Sequence, residues 1–210
     1  MFKRTKLSTF KDKHQGETCL VCGLGPSLTD YMKNRKRKPS GITIGVNDIN
    51  MLFVPTYQCI SEPLTGAHCV GHEDKINQML STNCPNVFSV HDLKFKRAKP
   101  VFLPLVGVVD EPDIEKIFAA DKIPAVMKIT TVAIGLALYM GFAVINVIGL
   151  DMYGDRAVNN DSNAIILGPS RMIIMNAGLS LFREYGERHG QMIYNLSKNS
   201  LITAFPKRGC

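Results

Sequence analysis

From Ile129 to Leu150 the chain carries no charged residue. That run limits the fold more than any other feature. An uninterrupted apolar stretch of about 18 residues ordinarily signals a membrane-spanning helix. Two details argue against a span here. Gly141 breaks the run near its middle, and the two halves differ in composition. The first half is rich in Ala and Leu. The second, Val144-Ile145-Asn146-Val147-Ile148, is mostly β-branched. The run therefore reads as a buried helix, a glycine turn and a strand covered on both faces. No transmembrane segment is expected.

The remaining chain alternates in the same way. Strands are expected at 17–22, 42–46, 57–60, 86–90, 101–105, 144–150 and 192–196. Helices are expected at 27–34, 73–80, 131–140 and 171–189, with loop and a short helix across 107–124. Strands alternating with helices imply an α/β, Rossmann-like, doubly wound and mostly parallel sheet. Residues 1–16 read as a loosely held basic arm, and 17–210 as a single nucleotide-binding domain. The polar Gly/Asn/Asp-rich stretch at about 153–170 reads as a small lid region.

The chain has 210 residues, 45% hydrophobic and 20% charged, an ordinary globular balance. A net charge of +7 suits an anionic ligand or surface: a nucleotide, nucleic acid or acidic lipid. Five basic residues crowd Lys33 to Lys38. They fit a solvated helix end or a polyanion-docking run. No aromatic residue interleaves them, so a stacking platform for single strands is not indicated. The six cysteines follow no apolar leader segment. Free thiols and a cytoplasmic location are expected, with peripheral attachment to a membrane surface compatible. An oligomer is compatible as well.

In such a sheet, ligands gather beyond the C-terminal ends of the strands. Gly23, Gly25, Asn47, Asp48, Glu62 and Asp151 all follow expected strands. Gly23-Leu24-Gly25-Pro26-Ser27-Leu28 allows a sharp turn and close backbone approach, and the helix after it offers N–H groups to a phosphate. As a plain strand-to-helix turn it would carry no ligand. Asn47-Asp48 follows a strand and precedes no helix-like run; Asn47 reads either as a base or ribose contact or as turn chemistry. Asp151 reads as a ribose or metal contact, or as a cap. Thr130 and Thr131 open a helix, as phosphate contacts or as an N-cap. His68, Cys69, His72, Cys84 and His91 fit no zinc spacing, so no metal site is expected. His72 remains a candidate general base.

These residues, in this order, resemble a family. The chain is similar to the small bacterial sialyltransferases that use a CMP-sugar donor, and to the wider set of domains that includes the 6-hydroxymethylpterin diphosphokinases. The likeness rests on Gly23-Leu24-Gly25-Pro26-Ser27-Leu28, Val46-Asn47-Asp48 and Ser61-Glu62-Pro63-Leu64. It continues through Lys128-Ile129-Thr130-Thr131, Leu138-Tyr139-Met140-Gly141-Phe142, Ile148-Gly149-Leu150-Asp151-Met152-Tyr153 and Tyr194-Asn195-Leu196-Ser197-Lys198-Asn199-Ser200-Leu201. The resemblance implies donor binding by Gly25, Asn47, Thr130, Thr131 and Asp151, with Ser27 near the phosphate; Gly23, Pro26, Tyr153, Asn199 and Ser200 complete the expected nucleotide pocket. It also implies metal-independent transfer using a lid histidine. Here no histidine lies between Tyr153 and Met175, and Glu62 stands where the family has Asn.

The expected activity is a nucleotide-dependent transferase, foremost a glycosyltransferase moving a sugar from a CMP- or UDP-type donor to an acceptor hydroxyl. The acceptor is expected to be anionic if it is a glycolipid or nucleic acid. Glu62, Asp48 and His72 are the candidate bases, and Lys128 or Arg171 the candidate phosphate cations. No cofactor is required in this reading. Two alternatives stand beside it. One is a diphosphokinase using ATP and Mg²⁺ held by Asp48, Glu62 or Asp151. The other is a non-catalytic nucleotide- or nucleic-acid-binding module.

Overall fold

The computed structural model of the chain describes residues 5–35, 38–61, 73–152 and 168–208. Seven parallel strands form one sheet: β1 (Thr18–Cys22), β2 (Ile42–Val46), β3 (Tyr57–Ile60), β4 (Asn86–Ser89), β5 (Val101–Phe102), β8 (Val144–Ile148) and β9 (Met192–Asn195). Their order is β5-β4-β3-β2-β1-β8-β9. The fold is the expected Rossmann-like α/β arrangement. From β1 the chain steps outward through β2 to β5, then returns to lay β8 on the other side of β1. The winding direction reverses between β1 and β8, which makes that crevice the topological switch point.

The helices are α1 (Pro26–Arg35), α2 (Glu73–Leu80), α3 (Ile114–Ala119), α4 (Ile129–Tyr139) and α5 (Pro169–Arg188). Right-handed crossovers in opposite directions put α1 and α5 on opposite faces of the sheet. Helix α4 accounts for the uncharged run. It packs across β1, β2, β3 and β8 and also touches α5. Every residue from Thr130 to Tyr139 is buried. A helix apolar on all sides is stable only when surrounded, and the sheet with α5 surrounds it. Among the described residues, no helix is long and apolar enough to cross a membrane.

Two expectations change, and a third falls almost wholly outside the described residues. The strand expected at 101–105 divides: β5 ends at Phe102, and β6 (Leu105–Gly107) pairs instead with β7 (Ile123–Ala125) in a two-stranded parallel sheet. Pro104 separates them, and proline cannot donate to a continuing ladder. Asn47-Asp48 does open a helical turn, the 3-10 segment Asn47–Met51. Residues 153–167 of the expected lid lie outside the described residues, and 169–170 already belong to α5.

The N-terminal segment is not a loose arm from residue 7 onward. Leu7 and Phe10 are buried in a 3-10 turn. The Phe10 ring meets Phe88 edge-on at 4.9 Å. His14 stacks on Phe142 at 4.6 Å and its Nε2 lies 2.6 Å from the Tyr57 hydroxyl. The His14 amide donates to the Met140 carbonyl at 2.8 Å. Lysines hid this docking at the sequence level, because only two apolar side chains do the packing. Phe10→Ala is expected to cost about 3–5 kcal/mol of stability, as buried Phe truncations do. Urea denaturation checks this; an unchanged midpoint would show that the docking contributes nothing.

Candidate functional site

The site is built where β1 and β8 end. After β8, Gly149 adopts φ +75°, and a Cβ there would lie 2.2 Å from the Gly23 carbonyl oxygen. Only glycine permits both that backbone and that approach. The Gly23 amide donates to Ile148 O at 2.8 Å and the Gly25 amide to Gly149 O at 2.9 Å. The parallel ladder thus continues past both strands and brings Asp151 against the start of α1.

Asp151 is 1% exposed. Its Oδ2 accepts from the Ser27 amide at 2.9 Å and from the Ser27 hydroxyl at 2.8 Å. Pro26 occupies the first position of α1, where no N–H is needed. The positive end of α1 therefore already holds an anion, the protein's own carboxylate. Ser27 Oγ also accepts from the Gly149 amide at 2.9 Å and lies 2.6 Å from Ser197 Oγ. One O–H and two lone pairs are then all in use. The hydroxyl expected near a phosphate is a structural hub instead. The other Asp151 oxygen, Oδ1, is buried and has no hydrogen-bond partner among the described residues.

The opposite wall is the start of α4. Crossover helices run back against the strands, so this N-terminus faces the same sheet edge. No side chain caps it, and Lys128 stands at the capping position. The Ile129 and Thr130 amides precede any intrahelical acceptor. Thr130 Oγ1 lies 3.0 Å from where a Gly23 Cβ would be, which places Thr130 on the floor of the crevice. Thr131 turns inward: its Oγ1 accepts from the Val126 amide at 2.9 Å and donates toward Lys128 O at 2.6 Å. It secures the loop before α4 and offers nothing to a ligand.

The turn after β9 closes the third side. Asn195 Oδ1 accepts from the Ser197 amide at 3.0 Å, while Asn195 Nδ2 is buried without a partner among the described residues. Ser200 Oγ donates to Leu150 O at 2.6 Å, and the Lys207 ammonium donates to Lys198 O at 2.7 Å. Ser200 is therefore a staple between the turn and β8. Asn199 is exposed at the tip.

Along the same edge, Asn47 sits at φ +43° and its Oδ1 accepts from the Ser61 amide at 3.1 Å. It ties the end of β2 to the end of β3. Asp48 is fully buried, out of reach of an incoming hydroxyl. Glu62, His68, Cys69, His72 and Tyr153 lie outside the described residues. Ser197 and Asn195 join the site without having been named as site residues; the signal was their place in the motif at the end of the last strand. Among the described residues no group of three metal-binding side chains forms.

The thiols of Cys19, Cys22, Cys59 and Cys84 are free and buried. Burial pushes the first three well above the ordinary thiol range and Cys84 up to about 11. Thiolate chemistry at these four is thereby suppressed.

No protein-family model matches the chain, and no curated protein is significantly similar to it in sequence. A solved structure, that of the sialyltransferase CST-II in complex with a trisaccharide acceptor and CMP, matches with a TM-score of 0.49. The match covers 90% of this chain and 85% of that chain at 14% identity.

Two outcomes are expected. Ser27→Ala strips partners from Asp151 Oδ2, the Gly149 amide and Ser197, and should cost about 1–3 kcal/mol in chemical denaturation. Because their raised pKa keeps thiolate scarce at pH 8, the four buried cysteines should resist a disulfide-exchange reagent in native protein and react once denaturant is added. Rapid native labelling of any of the four contradicts the burial described.

Proposed function

We propose that the crevice between β1 and β8 binds a nucleotide-sugar and that the chain is a glycosyltransferase. One observation carries the reading. At the switch point, the uncapped N-terminus of α4 stands across from the buried, unpartnered Asp151 Oδ1. The two features suit the two parts of a nucleotide. A carboxylate repels phosphate and accepts hydroxyl or amino protons, so Asp151 takes the ribose or base. Free helix amides attract anions, so α4 takes the phosphate. Lys128, at the capping position, adds charge there. The ordered likeness to the CMP-sugar enzymes supports the same assignment.

In this reading the glycine turn contacts the nucleotide through backbone at Gly23 and Gly25. Ser27 acts through Asp151, by fixing which oxygen is left for the ligand. The Asn199 tip stands beside the nucleoside. During transfer, negative charge grows on the leaving phosphate. The α4 amides are already aimed there and stabilise it without reorganising. No metal is needed for that step.

The test is a thermal-shift series with CMP, UDP, GDP, ADP and ATP, with and without Mg²⁺. A nucleotide at 100 times its Kd adds about 2.7 kcal/mol of stability. One pyrimidine or purine diphosphate or monophosphate should raise the melting temperature, and EDTA should leave the shift unchanged. Thr130→Val should weaken that nucleotide about tenfold by calorimetry, one hydrogen bond to a charged group being worth about 1.5–3 kcal/mol. A shift seen only for ATP with Mg²⁺ favours the diphosphokinase. No shift with any nucleotide ends the reading.

A further inference from the structure

A second concavity opens on the same edge of the sheet, away from the switch point. It has a volume of about 500 Å³ and is lined by Ser89, His91, Lys94, Phe95, Lys99 and Phe102, among others. Ser89 ends β4 and Phe102 ends β5. All the strands are parallel, so this cavity and the β1–β8 crevice face the same way. Three strand steps separate β4 from β1, about 14 Å at the usual spacing. A sugar projecting from a phosphate at α4 across β2 and β3 shortens that gap.

We propose that this cavity is the acceptor subsite, that it takes an anionic pyranoside, and that His91 is the base that deprotonates the attacking hydroxyl. The proposal rests on the nucleotide-sugar reading above.

The lining fits that ligand. The volume falls within the range of about 300–1,000 Å³ typical of small-molecule sites. Phe102 is an edge-strand residue left 52% exposed. With Phe95 it offers ring faces to the C–H face of a pyranose, since an aromatic face is electron-rich and C–H hydrogens are weakly positive. The cavity lies over a separate apolar cluster of Ile60, Met79, Cys84, Val87 and Leu93, so its floor is anchored. Lys94 and Lys99 bring two ammonium groups to a lining that holds one carboxylate, Asp92, so the balance favours a carboxylate or sulfate on the ligand.

His91 is held in a defined tautomer. Its Nε2 lies 3.2 Å from the Ser61 carbonyl oxygen. A carbonyl only accepts, so Nε2 bears the proton and Nδ1 keeps its lone pair. Among the described residues nothing hydrogen-bonds to Nδ1. The backbone is pinned as well. Ser89 Oγ donates to His91 O at 2.7 Å and accepts from the His91 amide at 3.3 Å. Ser61 in turn donates its amide to Asn47 Oδ1. The relay Asn47–Ser61–His91 fixes the base with respect to the end of β2, one strand from the donor crevice. Asn47 is then a positioning residue.

The step balances as follows. The acceptor O–H gives its proton to His91 Nδ1. The acceptor oxygen bonds to the anomeric carbon of the donor sugar. The bond from that carbon to the phosphate oxygen breaks, and its electron pair leaves with the nucleotide phosphate at the α4 amides. The imidazolium keeps its Nε2–H on Ser61.

The chain contains no tryptophan, so Phe102→Trp places one reporter at the cavity mouth. Titration with methyl β-D-glucuronide and with the methyl glycoside of N-acetylneuraminic acid should change its emission. Methyl β-D-glucoside should not, and adding Lys94→Ala should weaken the response about tenfold. His91→Gln keeps a donor for Ser61 but accepts no proton. With CMP-N-acetylneuraminate and UDP-glucose tried as donors, it should lower transfer to these pyranosides at least about 100-fold, a general-base effect, and leave the nucleotide melting shift and donor hydrolysis unchanged. Silence toward both anionic pyranosides, or equal response to the neutral one, overturns the subsite even if nucleotides bind. Full transfer by His91→Gln overturns the base. A pyranoside response without any nucleotide shift overturns the transferase reading and the role of His91 while retaining the binding cavity.

Discussion

The bond on which the arrangement depends is the one from Ser27 to Asp151. It joins residues 124 positions apart, at the place where, among the described strands, the chain reverses its winding. A carboxylate buried at 1% exposure is costly unless hydrogen-bonded. Here the α1 dipole, the Ser27 amide and the Ser27 hydroxyl supply that compensation together. The contact is possible because Gly23 and Gly149 let the two backbones touch. Any side chain at either glycine would wedge β1 from β8 and pull Asp151 off α1.

That bond also divides labour between two helix N-termini. Both open on the C-terminal edge of the sheet, and either would attract phosphate in isolation. Asp151 satisfies α1 and thereby closes it to anions. Helix α4 has no side-chain cap: Lys128 stands at the capping position, where an ammonium cannot accept from the first amides, and Thr131 spends its hydroxyl on the Val126–Lys128 loop. The anion-attracting end of the crevice is therefore α4. The end that attracts hydroxyl and amino protons is Asp151 Oδ1. One internal ion–helix contact thus gives the crevice two chemically different ends.

Much of the architecture was legible in the chain. Periodicity and β-branching located β1, β2, β3, β8 and β9 within a residue or two, and Gly141 separated α4 from β8. These elements are long or strongly patterned, and their burial leaves a composition that nothing else produces. Shorter pieces were not legible. β6 and β7 have three residues each and pair only with one another, so neither carries a periodic signal. The docking of residues 7–16 rests on Leu7, Phe10 and His14 set among lysines, and local charge masked it. At the site, Gly23, Gly25 and Asp151 were visible as residues just past strands, and Thr130 as a residue opening a helix. Ser61, Asn195 and Ser197 stood only inside longer motifs and His91 only in a rejected zinc spacing, since isolated polar residues near strand ends are common and their partners lie far along the chain.

The sequence by itself determined an alternating α/β chain, a parallel sheet with one helix wholly enclosed, and polar residues clustered beyond the strand ends. It could do so because hydrophobic period and turn chemistry are local. Only the tertiary structure decided which helix N-terminus stays open, which hydroxyls are saturated and which carboxylate oxygen is left unpaired. Hydrogen-bonding capacity is finite, and whether Ser27, Thr131 or Asp151 has any left depends on partners that folding brings from 3 to 170 residues away.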